Sequence, residues 1–205
     1  MGGYNGGEVA SKLAVVAASN YIENNFNDVK DDKEKILALI KSAVEYANMI
    51  VLEKASENKN LDQMGTTLEI CLIHMNKAYI GHIGDSRTYR IRKNIIRRIT
   101  TDHSYVQELV KDGKITKQEA EEHPKKNMLM KALGCETYAE PDVLYKNFLP
   151  DDIIVLCSDG LTNMLKEEEI YNIIKNNELN PEEELIRKAN ELGGYDNITA
   201  VIIKN

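Results

Sequence analysis

The chain has 205 residues, 42% hydrophobic and 29% charged, the balance of a soluble globular protein with one substantial core. Its net charge of −7 and pI near 5.2 exclude nucleic acid as the main partner, because phosphate-backbone binding needs a basic face. Apolar runs such as residues 153–157 are strand-sized, which argues against membrane insertion, and the start Met1-Gly2-Gly3-Tyr4-Asn5-Gly6-Gly7 lacks the basic and apolar regions of an export signal. A cytoplasmic enzyme is expected. Cys71, Cys135 and Cys157 match no zinc or disulfide spacing. They are read as small buried residues, with a redox role as the lesser alternative.

No repeat, low-complexity tract or proline-rich linker divides the sequence, so a single domain is expected over 1–205. Val9, Leu13, Val16, Ala17 and Tyr21 recur at helical spacing and predict a first helix that fades at Asn24-Asn25. Ile36, Ile40, Val44, Ala47 and Val51 form the apolar stripe of a second helix, with Asp31 or Asp32 as its cap. The two helices are expected to pair and cover one sheet face. From Gly65 the period changes to two. Residues 67–73 and 77–83 flank a turn at Met75-Asn76, and residues 88–92 and 95–99 flank another at Lys93-Asn94. Four consecutive short strands predict an antiparallel meander.

Residues 103–124 are charged and helical with a break at Asp112-Gly113, the pattern of a surface insertion. Strands are expected again near 128–133, 142–147 and 152–157, then a helix over about 166–175. Asn180-Pro181-Glu182 opens a further helix, since asparagine caps, proline suits the first turn and acids oppose the dipole. Its face is Leu185, Ala189 and Leu192, it ends at Gly193-Gly194, and residues 197–203 form a closing strand. This order predicts an α+β fold, a sheet sandwich covered by helices.

Three aspartates sit beside small residues at the ends of apolar strands: Asp85 in Gly84-Asp85-Ser86-Arg87, Asp159 in Ser158-Asp159-Gly160, and Asp196 in Gly193-Gly194-Tyr195-Asp196-Asn197. Carboxylate oxygens suit Mg²⁺ and Mn²⁺, and rigid strand ends can aim several of them at one point. Each could equally begin an ordinary turn, and spacing alone does not make the three converge.

The surrounding segments carry a resemblance. They are Met1-Gly2-Gly3-Tyr4-Asn5-Gly6-Gly7-Glu8-Val9-Ala10-Ser11, Met64-Gly65-Thr66-Thr67, Gly84-Asp85-Ser86-Arg87, Leu156-Cys157-Ser158-Asp159-Gly160-Leu161-Thr162 and Tyr195-Asp196-Asn197-Ile198-Thr199. Thr101-Asp102-His103-Ser104 and Ala132-Leu133-Gly134 match more weakly. In this order the chain resembles the bacterial branch of the metal-dependent protein phosphatases of type 2C.

The resemblance implies a four-layer sandwich of two antiparallel sheets flanked by helix pairs. Asp159 and Asp196 would be carboxylates of a Mn²⁺ or Mg²⁺ centre of two or three ions, and Asp85 would help Asp159 hold the further, weaker ion. Residues 103–124 would be the family's flap, with His103, Lys114, Thr116 and His123 bearing on substrate access. The implied reaction is hydrolysis of phosphoserine or phosphothreonine in proteins, the targets of a serine/threonine kinase. A metal-activated water would attack, with no covalent intermediate.

In the family the first motif begins two residues before Met1, with an aspartate that bridges the two principal metals and a glycine whose carbonyl binds one. Two strands lie further upstream, bearing a phosphate-contacting arginine. The resemblance therefore predicts a chain lacking its first strands and much less active than an extended version. A non-catalytic phosphatase-like binding module is the alternative. A two-metal nuclease has the wrong surface charge. His82 is read as a packed histidine, His103 as able to orient neighbouring backbone, Arg87 as a structural ion pair, and Asn163 as tolerated variation.

Overall fold

Small side chains decide how the first two helices meet. In a computed structural model, residues 6–57 and 59–205 are described, and residues 1–5 of the glycine-rich motif lie outside them. Helix α1 (Gly7–Asn25) buries Ala10, Ala14, Ala17 and Ala18, with Leu13 and Tyr21 packed at the margin. Val16, expected on the core face, is half exposed. Helix α2 (Lys33–Glu57) buries the expected stripe of Ile36, Ile40, Val44, Ala47 and Val51, together with Ala43. Alanines of both helices share one buried cluster with Val44 and Val51, and small side chains at such a contact let helix axes approach closely. Asp32 is the cap, its carboxylate accepting from Glu34 N–H at 2.9 Å and Lys35 N–H at 3.2 Å.

The chain divides into two compact units, residues up to Asp85 with 102–147, and residues 86–101 with 148–205. The first contains a three-stranded antiparallel sheet in the order β1 (Leu68–His74), β2 (Lys77–Ile83), β5 (Asp142–Asn147). Ile36 and Ile40 of α2 pack with Tyr79 of β2, so the helix pair lies on this sheet as expected. The turn residues Met75 and Asn76 have φ of 46° and 58°, the left-handed pair that a two-residue hairpin requires.

The second unit is a four-stranded antiparallel sheet ordered β4 (Ile95–Arg98), β3 (Arg87–Arg92), β6 (Ile153–Cys157), β7 (Ala200–Lys204). Lys93 and Asn94 repeat the left-handed turn, at φ of 49° and 61°. Helices α5 (Asp159–Thr162), α6 (Glu167–Asn176) and α7 (Pro181–Glu191) close its core, where Leu161, Ile170, Ile174, Leu185 and Ala189 meet Tyr89, Ile91 and Val155. Proline begins α7 as expected, while Leu192 is exposed beyond its end.

Three expectations are overturned. The four early strands are not one meander, because β2 pairs with β1 and β5 while β3 pairs with β4 and β6. The chain leaves the first sheet at Gly84, whose φ of +113° and whose approach to Thr67 exclude a side chain: a Cβ would lie 2.3 Å from Thr67 Cγ2. Residues 128–133 form no strand. They make isolated bridges, Leu129 with Ser104 and Leu133 with Thr66. Cys135 is exposed and Cys71 half-buried, leaving Cys157 as the buried cysteine among the three. Burial, aided by the charge of Glu69, pushes the Cys71 thiol up to about 12, which makes it a poor nucleophile.

One buried amide joins two of the sequence motifs. Asn48 on α2 is 1% exposed. Its Oδ1 accepts from Gly134 N–H at 2.8 Å, and its Nδ2 donates to the carbonyls of Glu136 at 2.9 Å and Thr137 at 3.4 Å. Leu133, next to Gly134, bonds Thr66 in both directions, so Asn48 pins the 132–134 turn beside the 64–67 segment. Asn48→Ala leaves a buried donor and acceptors unpaired. It is expected to cost about 2–3 kcal/mol in urea unfolding, and a loss below about 0.5 kcal/mol would contradict the assignment.

Candidate metal centre

Strand β6 ends at Cys157, and the next residue, Ser158, straps the strand end to residues 197–199. Its backbone N–H donates to Thr199 O at 3.1 Å. Its hydroxyl donates to Asn197 O at 3.2 Å and accepts from Thr199 N–H at 3.0 Å. Gly160 completes the approach: a Cβ there would lie 2.3 Å from Asn197 O, so no side chain fits. These bonds replace the first residues of the expected closing strand, which begins only at Ala200.

The strap places the carboxylates of Asp159 and Asp196 within electrostatic reach of one another. Asp159 is half-buried at the start of α5 and Asp196 is exposed in its loop. Burial, and then the negative charge of Asp196, push the Asp159 carboxyl above its ordinary range. The Gly160 N–H, the Asn163 amide and the Arg87 guanidinium pull the other way without winning. Asn163 Nδ2 donates to Asp159 Oδ2 at 3.3 Å from one turn along, a contact that helps orient Asp159. The signal in the sequence was its i+4 spacing from Asp159. Asp196 accepts from Asn197 N–H at 2.7 Å.

Two carboxylates that repel, presenting oxygen donors only, fit a hard divalent cation such as Mn²⁺ or Mg²⁺. Asp85 lies in the first unit, half-buried in the bend after β2. Among the described residues no group of three or more histidine, cysteine, aspartate or glutamate side chains forms a ready metal cluster.

Beside Asp85 is a buried polar chain. His82 in β2 is fully buried and bonds through Nδ1 to Glu69, its directly opposed residue on β1. The ring of His103 lies 4.5 Å from that of His82. His103 Nδ1 accepts from Gly84 N–H at 3.2 Å, and its backbone N–H donates to Gly84 O at 2.7 Å. Its Nε2 lies 3.3 Å from Asp142 Oδ2, without the alignment of a hydrogen bond.

The other residues of 103–124 serve the segment's own structure. Here α3 (Tyr105–Lys111) and α4 (Lys117–Glu122) flank the break at Gly113. Lys114 Nζ donates to Asp112 at 2.9 Å. Thr116 caps α4, accepting from Glu119 N–H at 3.2 Å while Glu119 accepts from its N–H at 2.7 Å, a complete capping box. His123 ends α4 and accepts from Lys125 N–H at 3.1 Å.

The two antiparallel sheets with their covering helices are shared by known phosphatases. The sequence profile described as Protein phosphatase 2C matches residues 1–188, and the chain belongs to that family. Its curated relatives include the serine/threonine phosphatase stp of Listeria monocytogenes, 36% identical over 206 residues, covering all of this chain and 81% of that protein. The protein phosphatase PhpP of Streptococcus pneumoniae is 34% identical over 206 residues, covering 99% and 82%. The crystal structure of the Mycobacterium tuberculosis serine/threonine phosphatase PstP/Ppp aligns with a TM-score of 0.88 at 34% identity, over 100% of this chain and 86% of that one. The PstP catalytic domain in complex with two manganese ions aligns at 0.83, also 34% identical, over 98% and 83%. No helix among the described residues is long and apolar enough to cross a membrane.

Proposed function

We propose that this chain acts in the cytoplasm, hydrolysing phosphoserine and phosphothreonine in proteins and opposing a serine/threonine kinase, with Mn²⁺ or Mg²⁺ held by Asp159 and Asp196. Asp85 is a carboxylate ligand of a further ion. The observation that carries this reading is the Asp159–Asp196 pair, strapped together by Ser158 and Gly160 and left with excess negative charge. The manganese-bound relative supports it.

A bound divalent ion supplies Lewis-acid stabilisation of phosphoryl charge and lowers the pKa of water. The chain's own residues do the rest. Asp159 and Asp196 present fixed oxygens, so little reorganisation accompanies ion binding. The Asn163 amide keeps Asp159 directed, and Arg87 moderates its charge. No side-chain nucleophile is required. Lys114, Thr116 and His123 act on substrate access through the shape they give residues 103–124, since they bond their near neighbours Asp112, Glu119 and Lys125. Residues that the resemblance puts ahead of Met1 form no part of this proposal.

The test is phosphate release from a phosphothreonine peptide with Mn²⁺, with Mg²⁺ and with excess chelator. Metal-dependent release that chelator abolishes is expected. Mn²⁺ binding with tight peptide binding but no release would replace the enzyme with a phosphopeptide-binding module, and metal-independent release would sink the proposed mechanism.

A further inference from the structure

We propose that His103 is a positioning residue: as a neutral imidazole protonated on Nε2, it fixes the Gly84–Asp85 bend and so sets the direction of Asp85. The inference rests on the reading of Asp85 as a metal ligand.

Both polar backbone groups of Gly84 are taken by this one residue, its carbonyl by His103 N–H at 2.7 Å and its N–H by His103 Nδ1 at 3.2 Å. Gly84 has φ of +113° and is pressed against Thr67, so it has few other conformations to adopt. With both its peptide groups held, the starting point of the Asp85 backbone is held too. An N–H aimed at Nδ1 demands a lone pair there, so the ring proton resides on Nε2, the nitrogen 3.3 Å from Asp142 Oδ2.

The surroundings select the same form. The Glu69 carboxylate engages His82 on Nδ1. An imidazolium at His103, its ring 4.5 Å from that of His82, would be disfavoured from the His82 and Lys131 sides and favoured by half-exposed Asp142. Burial and then His82 hold His103 below the ordinary histidine range.

His103 also roots the segment that follows it. Its carbonyl accepts from Met130 N–H at 2.7 Å, Ser104 bridges Leu129, and Tyr105 N–H donates to Met128 O at 2.8 Å. Both ends of residues 103–130 are therefore zipped at the residue that grips Gly84. A change at the root of this segment is transmitted to the backbone of Asp85.

The experiment uses the full chain. Long-range ¹H–¹⁵N correlation of ¹⁵N-histidine protein at neutral pH is expected to give His103 the Nε2–H pattern; an Nδ1–H or imidazolium pattern overturns the proposal. Mn²⁺ titration calorimetry then compares His103→Asn, His103→Gln and His103→Ala with Asp85→Asn. Asparagine places an acceptor where Nδ1 stood, and glutamine places its amide where Nε2 stood. The glutamine and alanine variants are expected to weaken the same Mn²⁺ site as Asp85→Asn by about 10-fold or more, with the asparagine variant within about 3-fold of the parent. Equal affinities in all three variants, whether lost or kept, would reduce His103 to packing and overturn the proposal. A parent chain that binds no Mn²⁺ removes the metal reading itself and Asp85's role with it, while the NMR pattern still reports whether the grip on Gly84 exists.

Discussion

Asp159→Asn is expected to abolish Mn²⁺-dependent phosphatase activity while making the metal-free protein more stable. Loss of outer-shell partners alone costs metal sites about 10–100-fold, so losing a ligand should exceed 100-fold in turnover. The stability gain has the opposite cause. The folded protein holds the Asp159 carboxyl above its unfolded value, through burial and then the charge of Asp196. Ionisation of such a group is easier in the unfolded chain, so stability falls as pH rises through the carboxylate range. Asparagine keeps the shape and removes the penalty. A gain of about 0.5–2 kcal/mol is expected, the size common where function is relieved of strain. Added Mn²⁺ should reverse the ranking, stabilising the parent by mass action and leaving the variant unmoved. Thermal melts of both proteins with and without Mn²⁺ decide it. A metal-free variant that melts below the parent, or equal stabilisation of both by Mn²⁺, would count against the pair as an ion site.

The largest expected stability loss lies elsewhere, at Asp152, and its pH dependence runs the other way. This carboxylate is 1% exposed. It accepts from Arg92 Nε at 2.7 Å, Arg92 Nη2 at 2.6 Å and Leu149 N–H at 2.7 Å. Burial pushes its carboxyl up, but the Arg92 and Leu149 bonds outweigh burial and leave it below the ordinary range. A depressed folded value contributes stability above the unfolded pKa of about 4, lost as pH falls through the folded value. Asp152→Ala strands a guanidinium and a backbone N–H, and should cost about 3–5 kcal/mol at pH 7. Urea unfolding at pH 7 and pH 3 measures it, with the gap between parent and variant narrowing at the lower pH. A gap independent of pH would show that the site works by packing alone.

Much of this was legible before any coordinates, and the exceptions share a cause. The stripe on α2, the Asp32 cap, both left-handed hairpin turns and the proline start of α7 depend on neighbours within a few residues, and all are found. Failures came where a distant partner decides. Val16 looks more apolar than Ala14, but only the alanine fits against α2. Residues 128–133 read as a strand because their partners, Ser104 and Thr66, are single bridges rather than a ladder. Asp159 and Asp196 were marked by their setting at strand ends, whereas the devices that join them, Ser158 and Gly160, act across some 40 residues (|i−j| = 39 and 41 for the serine). Asn163 is the exception: its partner Asp159 is only four residues away, and that spacing was the local signal left unused.

That long strap also bears on the order of folding. The two hairpins close over two-residue turns, events of microseconds. Pairing Ser158 with Thr199 must wait for a far larger loop, and β3 with β6 for a larger one still, the Arg92–Asp152 bond spanning 60 residues. The carboxylate pair is therefore a late product of folding. An ion that binds the finished pair is expected to slow the reopening of the folded molecule rather than to speed its collapse.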